Sequence, residues 1–195
     1  KPASSLTRPL SILIEMDLIH HEIPFGTSIR DTKRTLYKIS DPFLKFWLTF
    51  IEPNRSLLET GLSEHVLQSI KKTWPNYIGN VWEELSRKSV TRLSVAGKHF
   101  GPAFRWWGKG NNGAMLEFDI VSQSLDNHNN ILIGEAKHTC RVSELPKLLS
   151  ELAAKASQCP LFNGKELTFA LWIMNSPSSK HKEVFDAEDV VSAMK

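Results

Sequence analysis

Two stretches decide the fold: Met115-Leu-Glu-Phe-Asp-Ile-Val121 and Ile131-Leu-Ile-Gly-Glu-Ala-Lys137. Both are apolar runs short enough to be strands. The turn-forming Asp126-Asn-His-Asn-Asn130 between them closes an antiparallel hairpin. Side chains two apart on a strand share a face, so Glu117 pairs with Asp119, and Glu135 with Lys137. Strand pairing then brings Asp119 towards Glu135. Two carboxylates held together at a sheet's end repel one another, and a divalent cation removes that cost. Hard carboxylate oxygens suit Mg²⁺ or Mn²⁺. Lys137 beside such an ion orients a water and stabilises the charge developed in phosphodiester hydrolysis. The competing reading is a half-exposed strand with a solvated polar face. Glu-x-Lys alone is common, and its value lies in the apolar strand it ends and in Asp119, 16 positions earlier.

Working outward, Tyr77 to Val90 reads as a helix, Ser143 to Ala156 as a second, and Glu183 to Met194 as a closing one. Leu167 to Met174 is a buried strand. The order α-β-β-β-α-β-α predicts an α/β (α+β) domain: a mixed sheet flanked by helices. Upstream, Asp41-Pro42 caps and starts a helix. Its residues Phe43, Leu44, Phe46, Trp47, Phe50 and Ile51 are almost wholly apolar, which predicts burial. Leu62 to Trp74 is another helical stretch, interrupted at Trp74-Pro75. Nearest the start, Ser5 to Ile19 has helical spacing with Ser4 or Ser5 as cap. His21 to Gly26 and Lys33 to Ile39 form a two-stranded hairpin. A helix followed by such a hairpin is the back half of a winged helix. The organisation expected is therefore 1–41 as half a winged helix, 42–75 as a helical linker and 76–195 as the sheet domain.

The chain has 195 residues, 41% hydrophobic and 23% charged, as in an ordinary globular protein. No apolar run approaches the roughly 18 to 20 residues of a membrane span. The net charge of +3 falls short of a dedicated nucleic-acid binder. Two cysteines, Cys140 and Cys159, make neither a disulfide framework nor a zinc set, which suits a cytoplasmic setting. The chain begins at Lys1 rather than Met and is read as a piece of a longer one. A DNA-reading role for the winged helix would use Arg8, Arg30, Lys33 and Arg34, but Glu15 and Asp17 oppose it, and a packing or linker role is preferred. Lys98, His99, Arg105 and Lys109 are candidates for a phosphate-contacting rim on DNA. Arg105-Trp106-Trp107 either stacks on bases or packs as core. His138 follows the lysine on the opposite strand face and is read as structural. His20-His21 has no partner at metal-ligand spacing.

Asp119…Glu135-Ala-Lys137 resembles the core motif of the PD-(D/E)xK nuclease superfamily. A wider set looks like the C-terminal region of a prokaryotic AAA+/STAND-type ATPase family. It comprises Tyr37-x-Ile-x-Asp41-Pro-Phe-Leu-x-Phe-Trp47, Tyr77-Ile-Gly-x-x-Trp-Glu83, Arg105-Trp-Trp-Gly108, Glu117-Phe-Asp119-Ile-Val and Gly134-Glu-Ala-Lys137. The resemblance implies an ATPase at the N-terminus of the same polypeptide, then a winged helix, then a restriction-endonuclease-like domain. It implies Glu83, Asp119 and Glu135 as ligands of Mg²⁺ or Mn²⁺, with the Ala136 carbonyl as an added ligand, and Lys137 as the catalytic lysine. The chain holds no Gly-x4-Gly-Lys-Ser/Thr phosphate loop, so no nucleotide site is expected in it. The expected activity is Mg²⁺-dependent DNA phosphodiester hydrolysis. The alternative is a non-catalytic module that binds DNA or protein and regulates the attached ATPase.

Overall fold

A computed structural model describes residues 6–28, 30, 34–175 and 182–195. The chain forms two compact units, Lys1–Ile23 with Ser28–Asn76, and Pro24–Thr27 with Tyr77–Lys195.

The first unit opens with helix α1 (Thr7–Glu15), followed by strands β1 (Ile19–Glu22) and β2 (Leu36–Ile39). The strands pair antiparallel, Ile19 opposite Ile39. Helix α1 is shorter than its spacing predicts. Asp17 turns left-handed, at φ 55°, and ends it, so that Ile19 begins a strand instead. The expected caps Ser4 and Ser5, and Lys33 of the wing, lie outside the described residues.

Helix α2 (Pro42–Phe46) starts as predicted: the Asp41 side chain accepts from Leu44 N–H at 2.7 Å, and Pro42 fills the first turn, where no N–H is needed. It runs into a π-helical turn, Trp47–Ile51. The expectation that this segment is buried is corrected: Phe43 is 64% exposed and Leu48 50%, and Phe50 alone of the stretch is buried. The aromatics instead cover one another, along this helical segment and across to Trp74 of the helix that follows. Ring centroids are 5.9 Å apart for Phe43–Trp47, 5.3 Å for Phe46–Phe50 and 5.9 Å for Phe50–Trp74.

After a short helix α3 (Arg55–Glu59) comes α4 (Ser63–Ser89), which corrects the break expected at Pro75. The proline removes one N–H from the ladder. The 27-residue helix nevertheless continues through it.

The second unit is built on a five-stranded mixed sheet. Its strands are β5 (Phe104–Lys109), β6 (Met115–Gln123), β7 (Asn130–Thr139), β8 (Glu166–Asn175) and β9 (Val184–Phe185), in that spatial order. A small hairpin of β3 (Ser94–Val95) and β4 (Lys98–His99) precedes it. Strands β5, β6 and β7 pair antiparallel, and β7, β8 and β9 pair parallel. Helix α5 (Leu145–Ser157) makes the crossover from β7 to β8 that a parallel pair requires. The closing segment is a strand and a helix rather than the single helix predicted over 183–194. Asp186, in extended backbone, accepts from Glu188 N–H and Asp189 N–H and so starts α6 (Ala187–Met194) only after β9.

Both sheet faces are covered, so the architecture is mixed α+β with helices flanking the sheet. On one face Leu145, Leu152 and Ala156 of α5 pack on Phe118, Val121, Ile131, Ile133, Leu171 and Ile173. On the other, Trp82 of α4 and Val190 of α6 pack on Ile120, Leu132, Ala170 and Trp172.

One irregularity in β6 positions everything below. Phe104 faces Val121 while Trp106 faces Phe118, so β6 carries one extra residue there, a β-bulge. Phe118 and Val121 consequently both face α5, while Ile120 faces Trp172. Asp119 sits at this break in alternation.

Candidate functional site

The site lies where the bulge of β6 meets the C-terminal half of β7. Ile120 faces Gly134 in the antiparallel register, and one step beyond that pair the strands bring Asp119 to the Glu135–Ala136 peptide. Asp119 Oδ2 accepts from Ala136 N–H at 2.9 Å. Gly134 is required beneath: a Cβ there would lie 2.6 Å from the Trp172 ring and 2.9 Å from Ile120 Cβ. The missing side chain lets the indole seat itself directly under the hairpin.

Glu135 points to the α5 face, on the same side as Ile133 and Lys137. Its carboxylate is shared by two ammonium groups. Lys137 Nζ donates to Oε1 at 2.8 Å, and Lys155 Nζ to Oε2 at 2.9 Å. Glu135 is largely buried, its side chain 18% exposed, against 42% for Lys137 and 31% for Lys155. Lys155 rises from α5 and passes over the Phe118 ring, its nitrogen 5.0 Å from the centroid.

From the other side, Arg87 of α4 donates to the Asp119 carbonyl at 2.9 Å and pairs with Glu83 at 3.8 Å. Glu83 stands near enough to Lys137 for its charge to favour the ammonium. The four residues expected at the centre (Glu83, Asp119, Glu135 and Lys137) therefore belong to one electrostatic cluster. Among the described residues, however, no group of three or more His, Cys, Asp or Glu is arranged to hold a metal ion.

The carboxylates are driven apart in acidity. Burial, then the charge of Glu135, pushes Asp119 above its ordinary value, against the Ala136 hydrogen bond and the two lysines. Burial would raise Glu135 too, but the hydrogen bonds and charges of Lys137 and Lys155 outweigh it and hold Glu135 low. Burial would likewise lower Lys137, yet Glu135, Asp119 and Glu83 together raise it. At neutral pH the arrangement is an ionised Glu135 between two ammonium groups, with Asp119 more reluctant to ionise.

The residues expected to form a phosphate-contacting rim are spread along the sheet. Lys98 pairs with Glu166 at 2.7 Å, at the opposite end of the sheet: Glu166 faces Asn130 at the start of β7, whereas Lys137 faces Ile173. That placement sets Lys98 apart from Glu135 and Lys137. Arg105 lies on β5 close to the bulge, but its Nε donates to Glu117 at 2.6 Å and its guanidinium covers the Trp107 ring at 5.6 Å. Lys109 is exposed at the far end of β5, facing Met115, four residues before Asp119. Trp106 is core against Phe118 and Phe162. His138 is exposed.

Two members of the cluster were missed in the sequence. Lys155 had a signal: it follows Leu148 and Leu152 at helical spacing, so a lysine sits on the edge of the apolar face of α5. Arg87 had a partial signal in its i,i+4 spacing from Glu83, but its bond to the Asp119 carbonyl, 32 residues away, had none.

Fold and site together define a mixed α+β domain whose sheet carries a half-buried carboxylate-and-lysine cluster at a bulge. The chain belongs to DUF234, a family of archaeal and bacterial proteins of unknown function, whose model matches residues 47–148, just over half of the chain. The match takes in Glu83, Asp119, Glu135 and Lys137 and stops before Lys155. An uncharacterized protein of Methanocaldococcus jannaschii is 31% identical over 137 residues, 69% of this chain and 29% of the relative. The chain thus spans under a third of that relative's length. No solved structure matches. Among the described residues no helix is long and apolar enough to cross a membrane.

Proposed function

We propose that the second unit is a nuclease-like module that hydrolyses DNA phosphodiester bonds with a divalent cation, in a restriction-endonuclease-like fold. The observation that carries this reading is the meeting of Asp119 with the Glu135-Ala-Lys137 strand, through the 2.9 Å hydrogen bond from Ala136 N–H. The donor chemistry fits Mg²⁺ or Mn²⁺: Asp119 and Glu135 offer hard oxygens, and Glu83 lies within electrostatic reach. Asp119 and Glu135 would hold the ion, which would supply a nucleophilic water and neutralise charge on the phosphate. Lys137, held as an ammonium by its contact with Glu135, stabilises the charge that develops on the phosphoryl oxygens. The Ala136 N–H fixes the Asp119 carboxylate, and Arg87 fixes the backbone that carries it. The wider reading places this module at the C-terminal end of a prokaryotic ATPase, whose nucleotide site would lie in another part of the polypeptide.

The test is a nuclease assay with Mg²⁺ or Mn²⁺ on linear, branched and single-stranded DNA. Cleavage by the wild type that is lost in Lys137→Ala supports the reading. Equal cleavage by both overturns it.

One observation favours a second reading, a module that regulates its ATPase by binding DNA or protein and cuts nothing. Both oxygens of Glu135 are already satisfied by lysines. Calorimetry separates the two readings. Hydrolysis requires divalent-ion binding that weakens in Asp119→Asn, and the regulatory module requires none.

A further inference from the structure

Glu135 takes its two partners from different elements. Lys137 lies two residues along the same strand, on the same face as the carboxylate. Lys155 comes from α5, twenty residues away, and its position is set independently. Leu152 and Ala156 bury that helix against the sheet, and the lysine stem is led across the Phe118 ring. The ammonium therefore arrives at Oε2 along a fixed path. It does there what a bound cation would do: it neutralises a carboxylate that burial alone would not leave ionised.

We propose that Lys155 is a tethered competitor of the divalent ion, so that the Lys155–Glu135 contact and ion binding at Glu135 exclude one another. The proposal rests on the metal-site reading above and concerns how that site is regulated. A positive charge removed from within hydrogen-bond distance of a ligand oxygen strengthens the attraction of that oxygen for any other cation. Lys155 is partly exposed, so once displaced it has water to enter, or a phosphate group of a nucleic acid to hold. A substrate that engages Lys155 would thereby free Glu135 for the ion, and loading of the ion would be coupled to the substrate by reciprocity. Lys155 touches Glu135 and acts through it, which makes it a positioning residue.

The experiment is a calorimetric titration of the full chain with Mn²⁺ alone, a readout independent of cleavage. Lys155→Met keeps the apolar stem and removes the charge, and Lys155→Gln is the second variant should Met misfold. Either is expected to bind Mn²⁺ about tenfold tighter or more than the wild type. Lys155→Arg, which restores the cation, is expected to bind like the wild type. Lys147→Met on the same helix, where the lysine pairs with exposed Glu151 at 3.7 Å, is the charge control and is expected to change nothing. Wild-type binding with equal or weaker binding by Lys155→Met and Lys155→Gln overturns this proposal and leaves the metal site standing. Absence of Mn²⁺ binding in the wild type and in every variant overturns both.

Discussion

The two units differ in how they use apolar side chains. Among the described residues of the first unit, Phe50 and Val66 are the buried apolar ones, while Phe43, Trp47, Leu48, Leu57, Leu62, Leu67 and Trp74 stay exposed. The second unit buries two full layers, one on each face of its sheet. Close-packed layers hold side chains within tight tolerances, and a reactive cluster needs that rigidity to keep its groups in register. The charged cluster sits in the unit that has it. Asp119 hangs on a strand packed on both faces, Glu135 on the strand at the centre of the sheet, and Lys155 on a helix fixed by Leu152 and Ala156.

The sharpest way to break this contrast is Trp172→Ala. Trp172 is fully buried, donates from Nε1 to Ser89 Oγ at 3.1 Å, accepts from Trp82 Nε1 at its carbonyl and stacks on Phe185 at 5.1 Å. The expected loss is about 3–5 kcal/mol in urea unfolding, as for other buried large aromatics. Next comes Gly134→Ala, whose new methyl group would drive into Trp172 and Ile120. Overpacking of this kind costs about 1–3 kcal/mol, and a neutral result would show that the indole is not wedged under the site.

Glu135→Gln leaves two ammonium groups without their carboxylate, and a loss of about 1–2 kcal/mol at neutral pH is expected. The variant also sharpens the pH dependence. Because Glu135 is lowered in the folded state, its contribution is complete above the ordinary glutamate value and is lost as pH falls through the lowered one. Asp119 is raised and has the opposite sign, favouring the fold below its ordinary value and losing that contribution as pH rises through the raised one. Glu135→Gln should therefore flatten the acid loss of stability, and Asp119→Asn should not. An unchanged acid profile in Glu135→Gln would contradict the ion-pair account. The smallest effect belongs to the first unit. Phe43→Ser, at a ring 64% exposed, is expected to move stability by no more than about 0.5 kcal/mol.

Legibility followed the same division. The hairpin, its polar turn, the crossover helix and the buried strand β8 were readable because period-two and period-3.6 patterns are strong where one face meets a core. Asp119 and Glu135 were placed together from strand alternation and the short turn. The bulge that aims Asp119 was not readable, since one extra residue in β6 shows itself only against the register of β5. The aromatic run at 43–51 misled because hydrophobicity predicts burial only when a second layer exists to receive it. Pro75 misled because a proline removes one ladder bond without obliging a long helix to stop. The place of Lys98 at the other end of the sheet from Lys137 was not readable, since it follows from the parallel register that sets its partner Glu166 beside Asn130.

In a crystal of the full chain soaked in Mn²⁺, the anomalous signal of the ion locates it without reference to cleavage. One ion is expected on carboxylate oxygens of Asp119 and Glu135, with Lys155 withdrawn from Oε2. Mn²⁺ bound elsewhere, or no ion while both lysines still hold Glu135, would contradict the metal-site reading.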